Sequence, residues 1–169
     1  MCFYSNTSVQ LESGEFVTME NLKYGDRVYS HIEDGHKIYS QIISFSGWDL
    51  ESIGSSIKIF TENEHFIIIS DTHLIYNYTL GKYVKANELK LGEYVLVNNR
   101  PKKILLVSQG THRGWISPLT QSNKIQANGF AAACHTHDLR FIYLPLRIFL
   151  RFFPNSPNTQ PKANSWFYN

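Results

Sequence analysis

An internal repeat constrains this sequence more than any other feature. Residues 14–29 align without gaps to residues 81–96, 67 positions further on, and six of the sixteen aligned pairs are identical. Each copy reads as a strand, a short helical turn ending in Leu-Lys-x-Gly, and a second strand, with the glycine supplying a positive φ after the turn. The pattern predicts a duplicated β-unit with a pseudo-two-fold axis. Chance similarity between two hairpin segments is the alternative.

Short apolar and alternating runs dominate the chain up to residue 139 and predict strands. Asp34-Gly35 lies between two such runs, which indicates a tight hairpin. The strand candidates are rich in Ile, Val and Tyr and comprise residues 27–32, 37–43, 57–60, 65–69, 74–78, 94–97 and 104–107. Because helical periodicity is scarce before residue 139, the sequence predicts an all-β protein.

Length and composition exclude several classes of protein. The 169 residues make one domain, or a domain with a short appendage. A content of 11 Phe, 10 Tyr and 3 Trp excludes an intrinsically disordered chain. A net charge of +2 is too weak to indicate a nucleic-acid partner, and two cysteines cannot make a disulfide framework. Residues 1–6 lack the basic and apolar regions of a signal peptide.

Cys2 is the first candidate for chemistry. It lies directly before a predicted strand, where its sulfur can reach the carbonyl of the preceding peptide. Attack through a five-membered ring would convert that amide into a thioester, which is nucleophilic catalysis on the chain itself. The reaction needs an oxyanion donor and an acid that protonates the departing α-amino nitrogen.

The turn at residues 70–73 is the candidate for that acid. It follows an apolar run and precedes another, so Ser70 and His73 lie in a polar turn between two core strands. An imidazole gives and takes protons near neutral pH. An ordinary capped turn with a surface histidine is the alternative.

Cys134 allows two interpretations. It is either a buried thiol near Cys2, or one ligand of a partial metal site together with His135 and His137. The three residues could hold zinc only with a fourth ligand from elsewhere, and no second Cys/His pair is spaced for it. We therefore predict neither a metal nor another cofactor.

Several motifs, in one order, resemble the Hedgehog autoprocessing domain, the Hint module shared with inteins. They are Cys2-Phe3, residues 11–14, 22–28 and 39–43, Ser70-x-x-His73-Leu74, residues 117–120 and residues 127–134. The resemblance covers residues 2–150 and points to nematode or other invertebrate relatives. It implies an all-β horseshoe of two duplicated β-units. Residues 1–138 would form the Hint domain, and residues 139–169 would form a partial sterol-recognition region with a short helical appendage.

The resemblance also implies roles for particular residues. Cys2 would be the nucleophile of an N-to-S acyl shift, Ser70 would hold the scissile amide, and His73 would protonate the leaving nitrogen. Cys134 would pair with or regulate the nucleophile. The thioester would then pass to the hydroxyl of cholesterol or another lipid alcohol, or to water. The implied partner is the protein's own upstream polypeptide, processed as a monomer in the secretory pathway and released outside the cell.

Four departures from the family pattern bear on these roles. Met1 stands where the family has Gly, so either an upstream part precedes this chain or the protein has lost its substrate half. The family's acidic residue, which activates the sterol hydroxyl, aligns with Gly47, and Asp49 is the nearest substitute. Ser70 replaces Thr. The sterol-recognition region is short.

Residues 139–153 carry the candidate lipid contacts, for which we name Phe141, Leu144 and Phe149. Arg147 and Arg151 lie one turn apart, so the segment could lie on a membrane surface with its arginines at the interface. Docking onto the β-body as a last core element is the alternative. The segment is too short and too charged to span a bilayer. Two other functions stay open at this point, an inactive Hint-fold binding module and a metal-binding β-domain.

Overall fold

The structure is a computed structural model that describes residues 1–134. This part of the chain is almost entirely β. Its strands are β1 (Phe3–Tyr4), β2 (Ser8–Gln10), β3 (Phe16–Thr18), β4 (Arg27–Glu33), β5 (His36–Thr61), β6 (Phe66–Ser70), β7 (Leu74–Asn77), β8 (Lys82–Lys85), β9 (Tyr94–Val97), β10 (Arg100–Thr120), β11 (Lys124–Ala127) and β12 (Phe130–Ala133). Three 3₁₀ turns cover Met19–Asn21, Glu62–Glu64 and Ala86–Glu88. The all-β prediction is confirmed, and the predicted helical appendage lies outside the described residues.

One large sheet contains all of these strands except β2 and β3, which pair with each other. Its order is β11-β12-β7-β9-β10-β1-β6-β5-β4, with β8 added alongside β7. The short β1 lies between β10 and β6, both antiparallel to it. The N-terminal residues are therefore enclosed by strands that follow much later in the sequence.

Two strands are much longer than the sequence predicts. Runs 37–43 and 57–60 belong to the single strand β5, and run 104–107 belongs to β10. The two strands pair from Thr61 opposite Ile104 to Ile42 opposite Thr120, with several register shifts. A β-bulge lets a ladder continue through residues that break the alternation. The polar and glycine segments between the apolar runs therefore extend the strands instead of ending them.

Two hairpins have the same kind of turn, and the sequence analysis found only one of them. Asp34 and Gly35 have φ of 49° and 79°, which confirms the predicted hairpin between β4 and β5. Asn128 and Gly129, with φ of 47° and 79°, join β11 to β12 in the same way. Asn-Gly is a strong hairpin signal, so this second hairpin was present in the sequence and was missed.

The structure confirms the predicted repeat, because equivalent hydrogen bonds occur in its two copies. Leu22 N–H donates to Met19 O at 3.2 Å, and its counterpart Leu89 N–H donates to Ala86 O at 3.3 Å. The acidic pair of the repeat also matches. Asp26 accepts the Lys23 N–H at 2.8 Å, and Glu93 accepts the Lys90 N–H at 2.9 Å. The two acids therefore cap equivalent turns. Either carboxylate can accept the lysine N–H, which explains why one copy has Asp and the other has Glu.

The duplication begins earlier in the chain than the sequence alignment does. Thr7 N–H donates to Tyr4 O at 2.9 Å, and His73 N–H donates to Ser70 O at 3.0 Å. Met19 N–H donates to Thr7 O and Ala86 N–H donates to His73 O, both at 2.8 Å. The turn that contains His73 is therefore the second copy of the turn that contains Thr7, offset by 66 residues instead of 67.

Both copies of the repeat contribute to one hydrophobic core. Both copies bury their shared leucine and the second shared valine, and the apolar side chains of the two halves form one cluster. Its largest fully buried members are Phe3, Met19, Leu22, Phe130 and eight further side chains, all isoleucine. Burial of such side chains is the main stabilising term of the fold.

We expect Gly25→Ala and Gly92→Ala each to lower the free energy of unfolding by about 1–2 kcal/mol. The two glycines have φ of +90° and +84°, where an L side chain is strained. The cost is conformational, because the added Cβ would approach no atom closer than 3.9 Å at either position. Urea denaturation measures it.

Gly110→Ala is the matched control for this pair, since Gly110 has no positive φ and an added Cβ meets Ser56 Oγ at an ordinary 3.6 Å. If the Gly25 and Gly92 variants are no less stable than Gly110→Ala, the proposed conformational role of the two repeat glycines is wrong.

Candidate active site

Cys2 and Ser70 bind each other through their backbones and through one side chain. Cys2 N–H donates to Ser70 Oγ at 3.0 Å, and Ser70 N–H donates to Cys2 O at 3.0 Å. The side-chain bond falls on the nitrogen of the Met1–Cys2 peptide bond. That nitrogen is the leaving group of the predicted acyl shift, and the role of Ser70 in that shift stays a prediction.

The carbonyl of the same peptide bond is also held. Ser117 Oγ donates to Met1 O at 2.7 Å, and Ser117 is 4% exposed. The Met1–Cys2 peptide therefore has a serine hydroxyl on each of its polar atoms. Both contacts are made by the peptide backbone, so they do not depend on the side chain that precedes Cys2.

His73 is fully buried, which overturns the alternative of a surface histidine. Its ring packs against the ring of Phe3, with 4.1 Å between centroids and 56° between planes. Phe3 directly follows Cys2, so the imidazole is packed beside the start of β1. Its backbone is fixed at both ends of the turn, through Ser70 O and Ala86 N–H.

Strand pairing brings these residues together. Phe3 lies opposite Ile69 of β6 on one side and opposite Ile116 of β10 on the other. Phe3 and Ile69 are equivalent in the two repeats under the offset of 66. The site therefore lies where the two halves of the duplication meet, next to its pseudo-two-fold axis.

Cys134 is buried directly after β12, while its predicted proximity to Cys2 stays a prediction. Its Sγ lies 3.4 Å from Thr120 Oγ1. Burial, followed by the proximity of Cys134 and Tyr76, raises the pKa of Tyr83 to about 12, so this phenol stays protonated at neutral pH. Cys2 is a free, half-buried thiol, so no disulfide joins the two cysteines in this structure. A pairing or regulatory role for Cys134 stays a prediction.

Asp49 has a local structural role. It is exposed, and its Oδ1 accepts the N–H groups of Glu51 and Ser52 at 3.0 and 2.9 Å. Hydrogen bonds from Ser52 and then Glu51 lower the pKa of this carboxyl, which favours its ionised form. Its part as a substitute for the family's acid stays a prediction.

Gly47 lies closer to the candidate chemistry than Asp49 does. It pairs with Ser117 across β5 and β10, and a Cβ added at Gly47 would lie 3.6 Å from Ser117 Cβ. A side chain at position 47 would therefore point toward the hydroxyl that holds the Met1 carbonyl.

Sequence reasoning assigned no role to two residues of this site, Ser46 and Ser117. Ser46 Oγ donates to Ser117 Oγ at 2.8 Å, so the two hydroxyls form a chain that ends on Met1 O. Ser117 begins the 117–120 motif of the family resemblance, but that motif gave it no chemical role, and nothing in the spacing of Ser46 marks it. Only the pairing of β5 with β10 and the position of Met1 reveal them.

Other sequence predictions lie outside the described residues. They are the lipid contacts Phe141, Leu144 and Phe149, the possible ligands His135 and His137, and the segment 139–153. Within residues 1–134, no three His, Cys, Asp or Glu side chains cluster closely enough to hold a metal ion. The same part of the chain contains no helix long and apolar enough to cross a membrane.

A groove of about 480 Å³ lies elsewhere on the molecule. Amide, hydroxyl and aromatic side chains of β2, β4 and the turns at 98–99 and 128–129 line it, and its lining includes none of Cys2, Ser70, His73 or Ser117. The candidate site at the Met1–Cys2 peptide therefore lies outside this groove.

A model of the Hint module family matches residues 1–139. The chain belongs to the Hint module family. Two curated relatives are the Hedgehog proteins of Drosophila pseudoobscura pseudoobscura, 28% identical over 144 residues, and of Drosophila virilis, 29% identical over 143 residues. Each alignment covers 79% of this chain, and the chain spans about 30% of the length of either relative.

Solved intein structures have the same fold. The gp41-1 intein superposes with a TM-score of 0.67 at 25% identity, covering 78% of this chain and 97% of that one. A DnaB intein from Synechocystis sp. PCC 6803 superposes equally well, with a TM-score of 0.67 at 12% identity over 80% of this chain and 99% of that one. The predicted fold, a Hint domain built from a duplicated β-unit, is confirmed.

Proposed function

We propose that this Hint domain processes its own precursor by forming a thioester at Cys2. Hint domains of the Hedgehog and intein type are self-processing modules. The thioester proposal rests on two hydrogen bonds to the Met1–Cys2 peptide. Its N–H donates to Ser70 Oγ, and its carbonyl oxygen accepts from Ser117 Oγ. A peptide bond held at both polar atoms beside a free thiol is positioned for attack.

The first step is an N-to-S acyl shift. The Cys2 sulfur adds to the carbonyl carbon before it, and the carbonyl oxygen takes up negative charge. Collapse of this intermediate breaks the C–N bond and leaves a thioester. The proton lost by the thiol is balanced by the proton gained at the freed α-amino nitrogen, for which His73 is the acid.

The second step is attack on the thioester by an acceptor hydroxyl. For a Hedgehog-like module we propose a lipid alcohol such as cholesterol, or water, and segment 139–153 as the part that meets the lipid or a membrane surface. The substrate is then the upstream polypeptide of a precursor that passes through the secretory pathway and is released. The relatives named Hedgehog support the choice of a secretory-pathway precursor.

A fusion protein tests the proposal. A reporter ending in Gly replaces Met1 ahead of the full chain, and dithiothreitol, hydroxylamine or cholesterol is added. We expect release of the reporter with each thioester-directed nucleophile and none from Cys2→Ala. His36→Ala, at an exposed histidine of β5, is the control and should still release the reporter. Mass spectrometry identifies the adduct on the reporter.

The result that would overturn the proposal is an intact, folded fusion under all three nucleophiles. That outcome would favour the inactive binding module instead. If dithiothreitol releases the reporter but cholesterol does not, and water is the natural acceptor, the acyl shift is supported and the sterol step is wrong.

A further inference from the structure

Two serine hydroxyls outside the predicted catalytic set form a chain that ends on the scissile carbonyl. Ser46 Oγ donates to Ser117 Oγ at 2.8 Å, and Ser117 Oγ donates to Met1 O at 2.7 Å. The two residues come from neighbouring strands, β5 and β10. They approach Met1 from the side opposite the one on which Ser70 holds the peptide nitrogen.

Proton counting fixes the direction of this chain. A carbonyl oxygen only accepts hydrogen bonds, so Ser117 must donate its single hydroxyl proton to Met1 O. Its own oxygen then accepts the proton of Ser46. Ser46 thereby holds the Ser117 hydroxyl in the one rotation that faces the carbonyl, and it polarises that O–H bond.

We propose that Ser117 is the oxyanion donor of the acyl shift and that Ser46 positions it. This inference rests on the proposed function and adds a catalytic residue to it. Negative charge builds on the carbonyl oxygen as sulfur attacks, and a hydrogen bond to a charged oxygen is about twice as strong as one to a neutral oxygen. The bond therefore stabilises the transition state more than the ground state.

Burial and geometry suit this role. Ser117 is 4% exposed, so few waters compete for its hydroxyl group. Its 2.7 Å separation from Met1 O falls within the range in which oxyanion donors act, about 2.7–3.1 Å. The donor is already in place before reaction, so little reorganisation is needed when charge appears.

The local backbone explains how a strand residue reaches the carbonyl. The β5–β10 register shifts between Ser117 and Pro118, and proline has no N–H to continue the ladder. Bulges of this kind re-aim side chains next to active sites. Opposite Ser117 stands Gly47, whose missing side chain leaves the space beside the hydroxyl open.

The step balances without proton transfer to or from Ser117. The S–C bond forms and the C–N bond breaks, while the thiol proton is replaced by one on the new amine. Ser117 keeps its proton throughout and only shares it with the oxygen. Loss of this residue should therefore slow the acyl shift without changing its product.

The test uses the reporter fusion with the full chain. We expect Ser117→Ala to lower the rate constant of dithiothreitol-dependent release by about 10²- to 10³-fold, the effect of removing one oxyanion donor. Ser117→Cys, which is close in size and a weak donor, should fall between Ser117→Ala and the original protein. Ser108→Ala, another serine of β10, is the control and should release at the original rate.

A double-mutant cycle tests the part played by Ser46. We expect Ser46→Ala to slow release roughly 2- to 10-fold, as for loss of one hydrogen bond. In a Ser117→Ala background the same change should have no further effect, because nothing remains to be positioned. A merely structural role would instead give independent effects that multiply.

The outcomes separate the two proposals. If the unsubstituted fusion releases no reporter, the proposed function fails and this inference falls with it. If that fusion releases the reporter and folded Ser117→Ala does so within threefold of its rate, only the inference is overturned. If circular dichroism shows that Ser117→Ala does not fold, the release rates of Ser117→Cys and Ser46→Ala are compared with that of the unsubstituted fusion instead. Rates within threefold of it for both variants would overturn the inference.

Discussion

Replacing His73 with alanine is expected to slow release of the reporter by about 10²- to 10⁴-fold, the usual contribution of a positioned acid. The C–N bond cannot break easily unless the leaving nitrogen gains a proton, and an imidazole supplies one near neutral pH. His73 is fully buried, and its ring packs on the ring of Phe3, the residue that follows Cys2. Gel densitometry of release with dithiothreitol measures the rate.

Loss of a buried ring also leaves a cavity, so the fold must be checked separately for this variant. His73→Asn retains part of the volume and hydrogen-bonding capacity without an imidazole, and it should be as slow as His73→Ala. His36→Ala, an exposed histidine of β5, is the control. A folded His73→Ala fusion that releases at the original rate would show that another group protonates the nitrogen.

Gly47→Asp is expected to raise cholesterol-dependent release by about 10²-fold, the lower end of what a general base contributes. This prediction rests on the proposed sterol step, in which the family's acid aligns with this position. A Cβ at residue 47 meets only Ser117 Cβ, at an ordinary 3.6 Å. The carboxylate would therefore lie near the held carbonyl, where it can take the proton of an attacking sterol hydroxyl.

Gly47→Asn has the same size without the charge, so it should respond to cholesterol no better than the original chain. Release by dithiothreitol should change little in either variant, since the acyl shift precedes sterol attack. Liquid chromatography with mass detection of the sterol ester measures the gain. Equal ester yields from Gly47→Asp, Gly47→Asn and Gly47 would refute the prediction that a carboxylate at position 47 acts as the base in sterol attack.

Much of the fold could be predicted because its signals are local. The repeat predicted two equivalent strand–turn–strand units, and their hydrogen bonds match in the structure. The strands β4, β6, β7 and β9 lie within one residue of the predicted runs at each end. Alternation and turn residues are enough for such elements, because the strand and its turn occupy consecutive residues.

The misplaced strand ends in β5 and β10 have a physical origin. The apolar runs in β5 and β10 were read as separate strands, yet the two strands pair almost throughout. Long pairing stabilises polar and glycine-containing segments that show no strand preference by themselves. The early start of the duplication was missed because the offset between the two copies changes from 67 to 66 residues, and a gapless alignment does not detect such a change.

The sequence alone determined the duplication, the all-β class, and the order of Cys2, Ser70, His73 and Cys134 that marks a Hint domain. Each of these depends on residue types at fixed spacing along the chain. Only the tertiary structure showed that Ser117 holds the carbonyl oxygen of the Met1–Cys2 peptide. Ser117 reaches Met1 across 116 positions, through a strand pairing and a bulge. Contacts between residues so far apart depend on register, and register is set by the packing of the whole sheet.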